Sequence, residues 1–370
     1  MTTLRVLLHV AAQRDYELHS LDFSTGFLQC SLHEEIWLRR QPGFTGSFPA
    51  GTQWSLRRPV YGLRQAPRAA LGFAPSTSEP SLFLRTDTTL PPLYVLVYVD
   101  DLVFATADTE ALAHVNSELQ KRHTCTDLAP PSDESVEPSG PYPELVGCLM
   151  YLMTCTRPDL AYPLSILARY VAPGRHRKEH MDAAKRVLRY LCSTSGMGLV
   201  LGGRARVVLT GHADASWVDD LTTQRSSQGY TFSLGSGPVS WPSTRSSSVL
   251  SSSCEAEIYA GAMVTQELRW LTYLLTGLGE PPRSPPVLYV DNKAMIALCQ
   301  EHRLEHKTKH IALRYFLARE LQQRGQLRLA YMASQANTAD VFTKAFPPCD
   351  HQRFCTALGL VPTVPHLLTS

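Results

Sequence analysis

The sequence predicts an α/β protein in two parts, an α+β segment followed by an α/β domain with a mixed sheet. In the first part, the runs LYVLVYV and LVFA are rich in β-branched and aromatic residues. They flank Asp100-Asp101, which is typical of a two-stranded hairpin. Beyond residue 205, three short strands, a long helix, a strand running into a helix, a basic helix and a further strand follow one another. That order indicates an α/β domain.

The first part begins with a run of helical composition, LRVLLHVAAQRD. In the following run, LHSLDFSTGFLQC, apolar residues surround a lone carboxylate, Asp22. Pro and Gly interrupt residues 41–80, and the hairpin covers residues 93–106. The apolar side chains of residues 108–122 then recur at helical spacing, and Asp108 or Thr109 is suited to cap this helix.

A segment rich in Pro, Ser and acidic residues separates the two parts. It covers residues 129–143, APPSDESVEPSGPYP, and its composition predicts a linker. The sequence after the linker, up to residue 192, predicts helices. Residues 169–189 carry seven Lys and Arg against two acids, so we expect a basic helical surface.

The second part begins with three predicted strands, VVLTGHADASW, GYTFSL and GPVSW. The long helix that starts at EAEIYA keeps its apolar residues at helical spacing and stops at Gly277 or Gly279. PPVLYVDNKAMIALCQ predicts a strand running into a helix, and a basic helix and the strand LRLAYM follow.

Composition excludes several classes of protein. A hydrophobic content of 44% argues against global disorder, and a net charge of +2 does not by itself indicate a nucleic-acid partner. Nine cysteines without a CxxC pair argue against a disulfide framework and a zinc ribbon, and they favour a reducing compartment. No apolar run approaches the ~20 residues of a membrane span. We therefore expect a soluble, intracellular protein with no membrane partner.

Two groups of carboxylates are candidates for metal binding. Adjacent carboxylates at a hairpin tip, Asp100 and Asp101, suit hard cations and two-metal phosphoryl transfer. An ordinary Asp-Asp turn is the alternative, and the hairpin alone leaves both open.

The second group lies in the α/β domain. Asp214 is predicted at the end of a strand, Glu257 near the start of the long helix, Asp291 at a strand end and Asp340 near the beginning of a final helix. Strand ends and helix starts converge in α/β sheets, so these acids are placed to hold two Mg²⁺ ions about 4 Å apart. Each acid alone is more simply a cap or turn residue, but all four in this order argue against that alternative.

Together these features resemble one known family, the copia-type LTR retrotransposon Pol polyproteins, in their reverse transcriptase and ribonuclease H regions. The resemblance covers residues 15–346 in the expected order. It is carried by YVDD, LDFSTGFL, VYGLRQAPR, TRPDLAYPLSILARY, KRVLRYL, HADASW, SSSCEAEIYA, YVDNKAMI, KTKHIALRYF and NTADVFTKA.

The resemblance implies five segments. Residues 1–128 are a partial reverse transcriptase palm, 129–143 the linker and 144–204 a helical connection. Residues 205–346 are a ribonuclease H-like domain, and 347–370 are a C-terminal tail. It also implies RNA, DNA, an RNA–DNA hybrid and dNTPs as partners. The expected location is the cytoplasm, with a virus-like particle or the nucleus as alternatives, and the oligomeric state stays open.

For the palm, the resemblance implies that Asp22, Asp100 and Asp101 bind Mg²⁺ or Mn²⁺ while a primer 3′-hydroxyl attacks a dNTP. Tyr98 would lie near the primer end and Gln65 near the nucleotide pocket. Simple packing is the alternative for both residues.

For the ribonuclease H domain, the resemblance implies that Asp214, Glu257, Asp291 and Asp340 hold the metals. Glu255 competes for the second role, and we prefer Glu257 because Ala260 and Val264 continue its helix face inward. Residues 302–328 carry seven Lys and Arg against two acids and are suited to contact phosphates. Candidates within this basic run are Lys307, Lys309, His310 and Arg314. A solvated helix face, and packing for His310, are the alternatives.

The chain also departs from the family pattern. It begins just before the first metal-binding aspartate, and residues after QAPR and after HTCTDL depart from the expected elements. We therefore expect a truncated fragment in which DNA synthesis is lost or feeble while hybrid cleavage persists. The alternatives are a non-catalytic nucleic-acid-binding relic and a non-functional pseudogene product.

Overall fold

The computed structural model describes most of the chain. The described residues are 1–23, 37–39, 53–55, 73–85, 87, 89–98, 101–122, 125–127, 142–172, 174–202, 208–220, 223–247, 249, 252–300 and 317–362. They form two compact units, one within residues 14–133 and one comprising Met1–Gln13 with residues 134–370. The predicted linker lies almost entirely outside the described residues.

The unit within residues 14–133 is built on a six-stranded antiparallel sheet. Its strands are β1 (Glu17–Phe23), β4 (Phe73–Pro75), β5 (Leu82–Arg85), β6 (Leu93–Tyr98), β7 (Asp101–Thr106) and β8 (Cys125–Asp127). Their order in the sheet is β4-β5-β6-β7-β1-β8. Two short strands, β2 (Trp37–Arg39) and β3 (Gln53–Ser55), pair with each other separately. The predicted hairpin is confirmed, because β6 and β7 pair with Tyr98 opposite Asp101.

Helix α2 (Thr109–Arg122) covers this sheet. Asp108 caps it, since its Oδ1 accepts a hydrogen bond from the Ala111 N–H at 2.9 Å. Leu112 and Val115 of the helix pack into one buried cluster with strand residues such as Leu21 and Phe104. The helix predicted for residues 108–122, including Asp108 as one of its two candidate caps, is therefore confirmed.

The other unit is an α/β domain with a mixed sheet, as the sequence predicts. Its strands are β10 (Leu209–Asp220), β11 (Arg225–Leu234), β12 (Pro238–Ser240), β13 (Ser243–Arg245), β14 (Val287–Val290) and β15 (Arg328–Tyr331). The order is β12-β11-β10-β14-β15, with β13 also paired to β11. Strands β10, β14 and β15 are parallel to each other, whereas β11 and its other partners run antiparallel. The fold class predicted from the sequence is confirmed.

Helices α6 (Ser253–Gly277) and α7 (Lys293–Gln300) belong to this α/β core, and residues 317–323, in the described part of the predicted basic helix, are helical as well. Helix α6 buries a stripe of apolar residues that includes Val264, Leu268 and Leu271. It ends where the sequence predicts, and Gly279 adopts a φ of 73° just beyond it. Helix α7 follows β14 directly.

Three helices precede the sheet along the chain. They are α3 (Tyr142–Cys155), α4 (Ala161–Leu167) and α5 (Lys178–Ser193). They pack on one another through a cluster in which Tyr142, Val146 and Leu164 are fully buried. Arg157 and Asp159, both buried, form a two-pronged ion pair between α3 and α4 with a shortest N···O distance of 2.7 Å.

The N-terminal helix α1 (Thr2–Arg14) packs within this unit, although the sequence placed it in the palm segment. The guanidinium of Arg5 lies 3.8 Å from the ring centroid of Trp241 and donates a 2.6 Å hydrogen bond to the Val239 carbonyl. Gly202 donates its N–H to His9 Nδ1 at 3.0 Å. The helical pattern of this segment is visible in the sequence, but its packing partner is not.

Residues 347–370, set apart as a tail in the sequence, include two further elements of the same unit. Helix α8 (Pro348–Ala357) buries Phe354 against Val341 and Phe342, and β16 (Leu360–Pro362) pairs with β9 (Met197–Leu199). The buried face of α8 is short, which explains why its apolar pattern is weak in the sequence.

Two further findings concern chemistry rather than topology. Within the described ranges, no helix is both long and apolar enough to cross a membrane. Six cysteines, Cys148, Cys155, Cys192, Cys299, Cys349 and Cys355, are free thiols.

Candidate metal centre

Asp214 is the central carboxylate of the candidate metal centre. It is located inside β10 rather than at its end, since the strand continues to Asp220 after a register shift beyond Ser216. Its side chain is only 2% exposed, and the Thr343 hydroxyl donates a hydrogen bond to its Oδ2. Burying a carboxylate in its charged form is costly unless a cation pairs with it, so this position favours either a nearby cation or a proton.

Glu257 is the glutamate that the structure brings to Asp214. It lies in the second turn of α6, and its carboxylate accepts a hydrogen bond from the Ala215 backbone. Ala260 and Val264 on the same helix face are 2% and 0% exposed, as the sequence argument for Glu257 requires. The alternative, Glu255, lies in the first turn, where its N–H binds the capping hydroxyl of Ser252 at 3.1 Å.

Asp291 completes a group of three. It follows β14, which runs parallel to β10, and Ser334 donates a 2.6 Å hydrogen bond to its Oδ2. One carboxylate oxygen from each of Asp214, Glu257 and Asp291 lies within 4.8 Å of the others. The sequence predicts this convergence from strand ends and a helix start, and the structure brings the three together.

Asp340 lies beside this group and is connected to it by a lysine. It belongs to a short 3₁₀ helix, Thr338–Phe342, and its carboxylate is 5% exposed. Lys344 places its Nζ 2.8 Å from Asp340 Oδ2 and 3.6 Å from Asp214 Oδ2. Sequence reasoning missed Lys344, although its spacing of four residues from Asp340 is that of a helical ion pair.

Two more residues missed by sequence reasoning hold the 3₁₀ helix against the sheet. Asn337 is fully buried and donates from Nδ2 to the Ala213 carbonyl at 2.8 Å. Gly229 lies opposite Asp214 in the β-ladder, and a Cβ there would fall 2.4 Å from the Phe342 Cβ. A glycine inside a predicted strand is the sequence signal for such a close approach.

Burial and like charge raise the proton affinity of these carboxyl groups. Burial, followed by the charges of Asp214 and Asp291, raises the pKa of Glu257 to about 9. Burial, followed by Asp214, raises the pKa of Asp340 to about 7, and burial also raises the pKa of Asp214. Burial disfavours the Lys344 ammonium, but Asp214 and Asp340 outweigh that effect and raise its pKa. The four carboxyl groups therefore outnumber the single ammonium beside them, and a further cation would favour their charged forms.

The residues present fit a divalent cation. Oxygen ligands on converging carboxylates are those that hard cations prefer. Among the described side chains, Asp340 Oδ1 is buried without a hydrogen-bond partner, so it has a free acceptor oxygen beside the triad. The arrangement can hold a metal between Asp214, Glu257 and Asp291.

The second carboxylate group, in the hairpin, is described only in part. Strands β1 and β7 pair with Asp22 opposite Asp101, so the two backbone positions are adjacent, as the prediction of a common site requires. Tyr98 ends β6. Six other predicted site residues lie outside the described ranges, so their roles stay predictions; they are Gln65, Asp100, Lys307, Lys309, His310 and Arg314.

Comparison with known proteins identifies the class first. Residues 1–133 match the family described as reverse transcriptase (RNA-dependent DNA polymerase). The antiparallel sheet with its Asp-Asp hairpin is therefore a reverse transcriptase domain. A solved structure of the foamy viral protease-reverse transcriptase in complex with an RNA/DNA hybrid is 14% identical, with a TM-score of 0.45 over 86% of this chain and 44% of that one.

The relatives identify the family more narrowly. The retrovirus-related Pol polyprotein from transposon RE2 of Arabidopsis thaliana is 32% identical over 426 residues, which cover 98% of this chain. The corresponding protein from transposon TNT 1-94 of Nicotiana tabacum is 29% identical over 94% of this chain. The chain belongs to the copia-type retrotransposon Pol polyproteins. It spans 29% and 31% of the lengths of these two relatives.

The match to the first relative has internal gaps. It takes in 426 residues, although this chain has 370. The relative therefore contains residues inside the matched region that have no counterpart here. This agrees with the sequence expectation that segments of the family pattern are missing within the chain.

Proposed function

We propose that the α/β domain hydrolyses the RNA strand of an RNA–DNA hybrid, with Mg²⁺ or Mn²⁺ as its cofactor. The observation that carries the proposal is the convergence of Asp214, Glu257 and Asp291, with Asp340 beside them. The four acids lie on a strand, near a helix start, at a strand end and on a 3₁₀ helix. Caps and turns do not require four such acids to come together. Membership of a retrotransposon Pol family supports a hybrid as substrate.

Each residue has a role in this chemistry. Asp214, Glu257 and Asp291 would hold one cation, and Asp214 and Asp340 would hold a second. When bound, the cations activate water and stabilise charge on the phosphate. Thr343 keeps the Asp214 carboxylate oriented through its hydrogen bond. Selectivity for RNA requires contact with the 2′-hydroxyl, the group that DNA lacks.

A basic surface in the same unit supports a nucleic-acid partner. Helix α5 buries Ala184 and packs Val187 and Leu191 against neighbouring helices. Its opposite side exposes four cations: Lys178, Lys185, Arg186 and Arg189. In the described part of the chain, no carboxylate forms an ion pair with these four side chains. We propose that this surface, the α5 basic face, contacts phosphates of the bound duplex.

A second candidate function is nucleic-acid binding without turnover. The departures from the family pattern after QAPR and after HTCTDL favour it for the reverse transcriptase domain, since missing segments remove surface that would hold primer and dNTP. The intact acids of the α/β domain favour catalysis there. The two candidates therefore apply to different parts of the chain.

The test is cleavage of a labelled RNA–DNA hybrid by the purified chain with Mg²⁺. We expect cleavage of the RNA strand, none of a DNA–DNA duplex, and a loss of at least about 100-fold for Asp214→Asn, because the shared ligand is removed. Asp350→Asn is the matched control, since this aspartate is exposed and pairs with Arg353 on α8. No cleavage by the unaltered chain, or equal cleavage by Asp214→Asn, would refute catalysis. Binding without cleavage would favour the second candidate.

A further inference from the structure

Lys344 has an unusual position in the metal centre. Its Nζ lies 2.8 Å from Asp340 Oδ2 and 3.6 Å from Asp214 Oδ2, between two carboxylates that are 5% and 2% exposed. The Lys344 side chain itself is 40% exposed. Two buried acids therefore share one ammonium group that reaches them from the solvent side.

The four acids define two cation positions. The first is the triad of Asp214, Glu257 and Asp291, whose ligand oxygens lie within 4.8 Å of one another. The second lies between Asp214 and Asp340, and the Lys344 ammonium occupies it. Asp214 belongs to both positions.

A divalent cation and the ammonium cannot occupy the second position together. A Mg²⁺ ion binds oxygen at about 2.0–2.1 Å, so an ion on the two carboxylates would lie in contact with Nζ. Repulsion between the two positive charges adds to this steric conflict. Among the described residues, no ammonium competes in this way for the triad position, because Lys344 contacts only one of the three acids, Asp214.

We infer that Lys344 is an internal counter-ion that makes metal loading sequential. The first divalent cation binds the triad, and the second binds between Asp214 and Asp340 only when the Lys344 side chain swings out. Its partial exposure leaves it room to move. This inference rests on the proposed metal centre, and it assigns Lys344 as a positioning residue that acts through Asp214 and Asp340.

The test counts bound Mn²⁺ by electron paramagnetic resonance, in which free Mn²⁺ gives the signal, so no activity is required. We expect the full chain to bind one Mn²⁺ tightly and a second weakly. Lys344→Met removes the charge and keeps the length of the side chain. It should tighten the second site at least about tenfold while the first changes less than about threefold. A merely structural role would weaken binding instead.

Matched variants separate the competing explanations. Lys344→Arg keeps the positive charge of the side chain, so the second Mn²⁺ should still bind weakly to this variant. Lys293→Met removes another lysine near the centre, whose Nζ lies 4.8 Å from the Tyr331 ring centroid, and it should change the second site much less. If circular dichroism shows that Lys344→Met does not fold, Lys344→Gln replaces it in the same measurement.

The outcomes are distinguishable. Equal second-site affinity in the unaltered chain and Lys344→Met would overturn the inference and leave the triad intact. One Mn²⁺ in both proteins would overturn it as well, since the second position would not exist. No Mn²⁺ in either protein would overturn the metal centre of the proposed function together with the inference.

Discussion

At the scale of single residues, Asn337 connects the two elements that hold Asp214 and Asp340. Its Nδ2 donates to the Ala213 carbonyl at 2.8 Å, and its Oδ1 accepts from the Ala339 N–H at 3.2 Å. The side chain is fully buried, so it exchanges no hydrogen bond with bulk water. One amide thus joins strand β10 to the first turn of the 3₁₀ helix that carries Asp340.

Replacing this amide tests its role. We expect Asn337→Ala to lower the free energy of unfolding by about 1–3 kcal/mol, because it leaves the buried Ala213 carbonyl unsatisfied and removes the cap. Urea denaturation measures the change. Gln352→Ala, at an exposed position on α8, is the control and should stay within about 0.5 kcal/mol of the unaltered chain. An equal effect of the two substitutions would contradict the proposed connection.

The protonation of Glu257 gives a second prediction at this scale. Its pKa is raised from an ordinary value near 4.5 to about 9, so the folded state holds a proton that the unfolded state releases. The stability linked to this proton is fully present below the ordinary pKa and is lost as pH rises through the folded pKa. We therefore expect thermal stability in EDTA to fall between about pH 5 and pH 9.

Thermal unfolding at several pH values measures this effect. Saturating Mg²⁺ should flatten the pH dependence, because the cation takes the place of the protons. Glu257→Gln, which cannot ionise at this position, should reduce the pH dependence without metal, and the remainder belongs to Asp340 and Asp214, whose pKa values burial also raises. If the curves of the unaltered chain and Glu257→Gln run parallel in EDTA, the raised pKa is not the cause.

At the scale of elements, helix α5 has two faces with different tasks. One face packs in the helical cluster, and the α5 basic face presents its cations without carboxylate partners among the described residues. Cations that neutralise phosphates release counterions, so their contribution is seen in the salt dependence of binding.

Removing three of these cations together tests the α5 basic face. We expect the triple variant with Lys185→Ala, Arg186→Ala and Arg189→Ala to bind the hybrid more weakly. The slope of the logarithm of the association constant against the logarithm of the salt concentration should fall in magnitude by between about 1 and 3. Fluorescence anisotropy with a labelled hybrid at several salt concentrations measures it. The control removes three exposed cations outside both basic runs, at Arg269, Arg283 and Arg353. An equal slope in the two triple variants would show that only total charge matters.

Helix α1 shows that an element predicted correctly can have an unforeseen partner. The run LRVLLHVAAQRD predicts a helix, and the helix is present. Its Arg5, however, is buried and donates a hydrogen bond to the carbonyl of Val239, which lies 234 positions away in the sequence. Helical periodicity identifies an apolar face but not the surface that covers it, so the packing of α1 in the second unit was not predictable.

At the scale of the whole molecule, the two units have retained their identifying motifs to different extents. The reverse transcriptase domain keeps Asp22 opposite Asp101, while its sequence departs from the family pattern after QAPR and after HTCTDL. The α/β domain has its acids brought together. We therefore expect hybrid cleavage to persist where DNA synthesis does not.

Both activities can be measured in one preparation. With a primed RNA template, dNTPs and Mg²⁺, we expect primer extension at least about 100-fold below that of an intact reverse transcriptase, because a misplaced primer end loses that much rate. Hybrid cleavage in the same tube serves as the control for folding and metal content. Extension at the rate of the intact enzyme would refute the expected loss of synthesis.

The candidate site was predictable from the sequence to the extent that it depends on local pattern. The sequence places Asp214 and Asp291 with strands and Glu257 and Asp340 near helix starts, and strand ends and helix starts meet at one end of an α/β sheet. The structure differs only in placing Asp214 inside its strand. The choice of Glu257 over Glu255 followed from the helix face that Ala260 and Val264 continue. Lys344 and Asn337 were not predicted, because the contacts that define them join them to β10 across more than 100 positions.

The sequence by itself determined the α/β class, the Asp-Asp hairpin, the long helix and the four acids, because strand alternation, helical periodicity and turn chemistry are local properties of the chain. Only the tertiary structure decided that Lys344 lies between Asp214 and Asp340, that Asn337 joins β10 to the 3₁₀ helix and that α1 packs in the second unit. Those facts depend on strand register and side-chain packing between residues far apart in the sequence, and no local pattern encodes them.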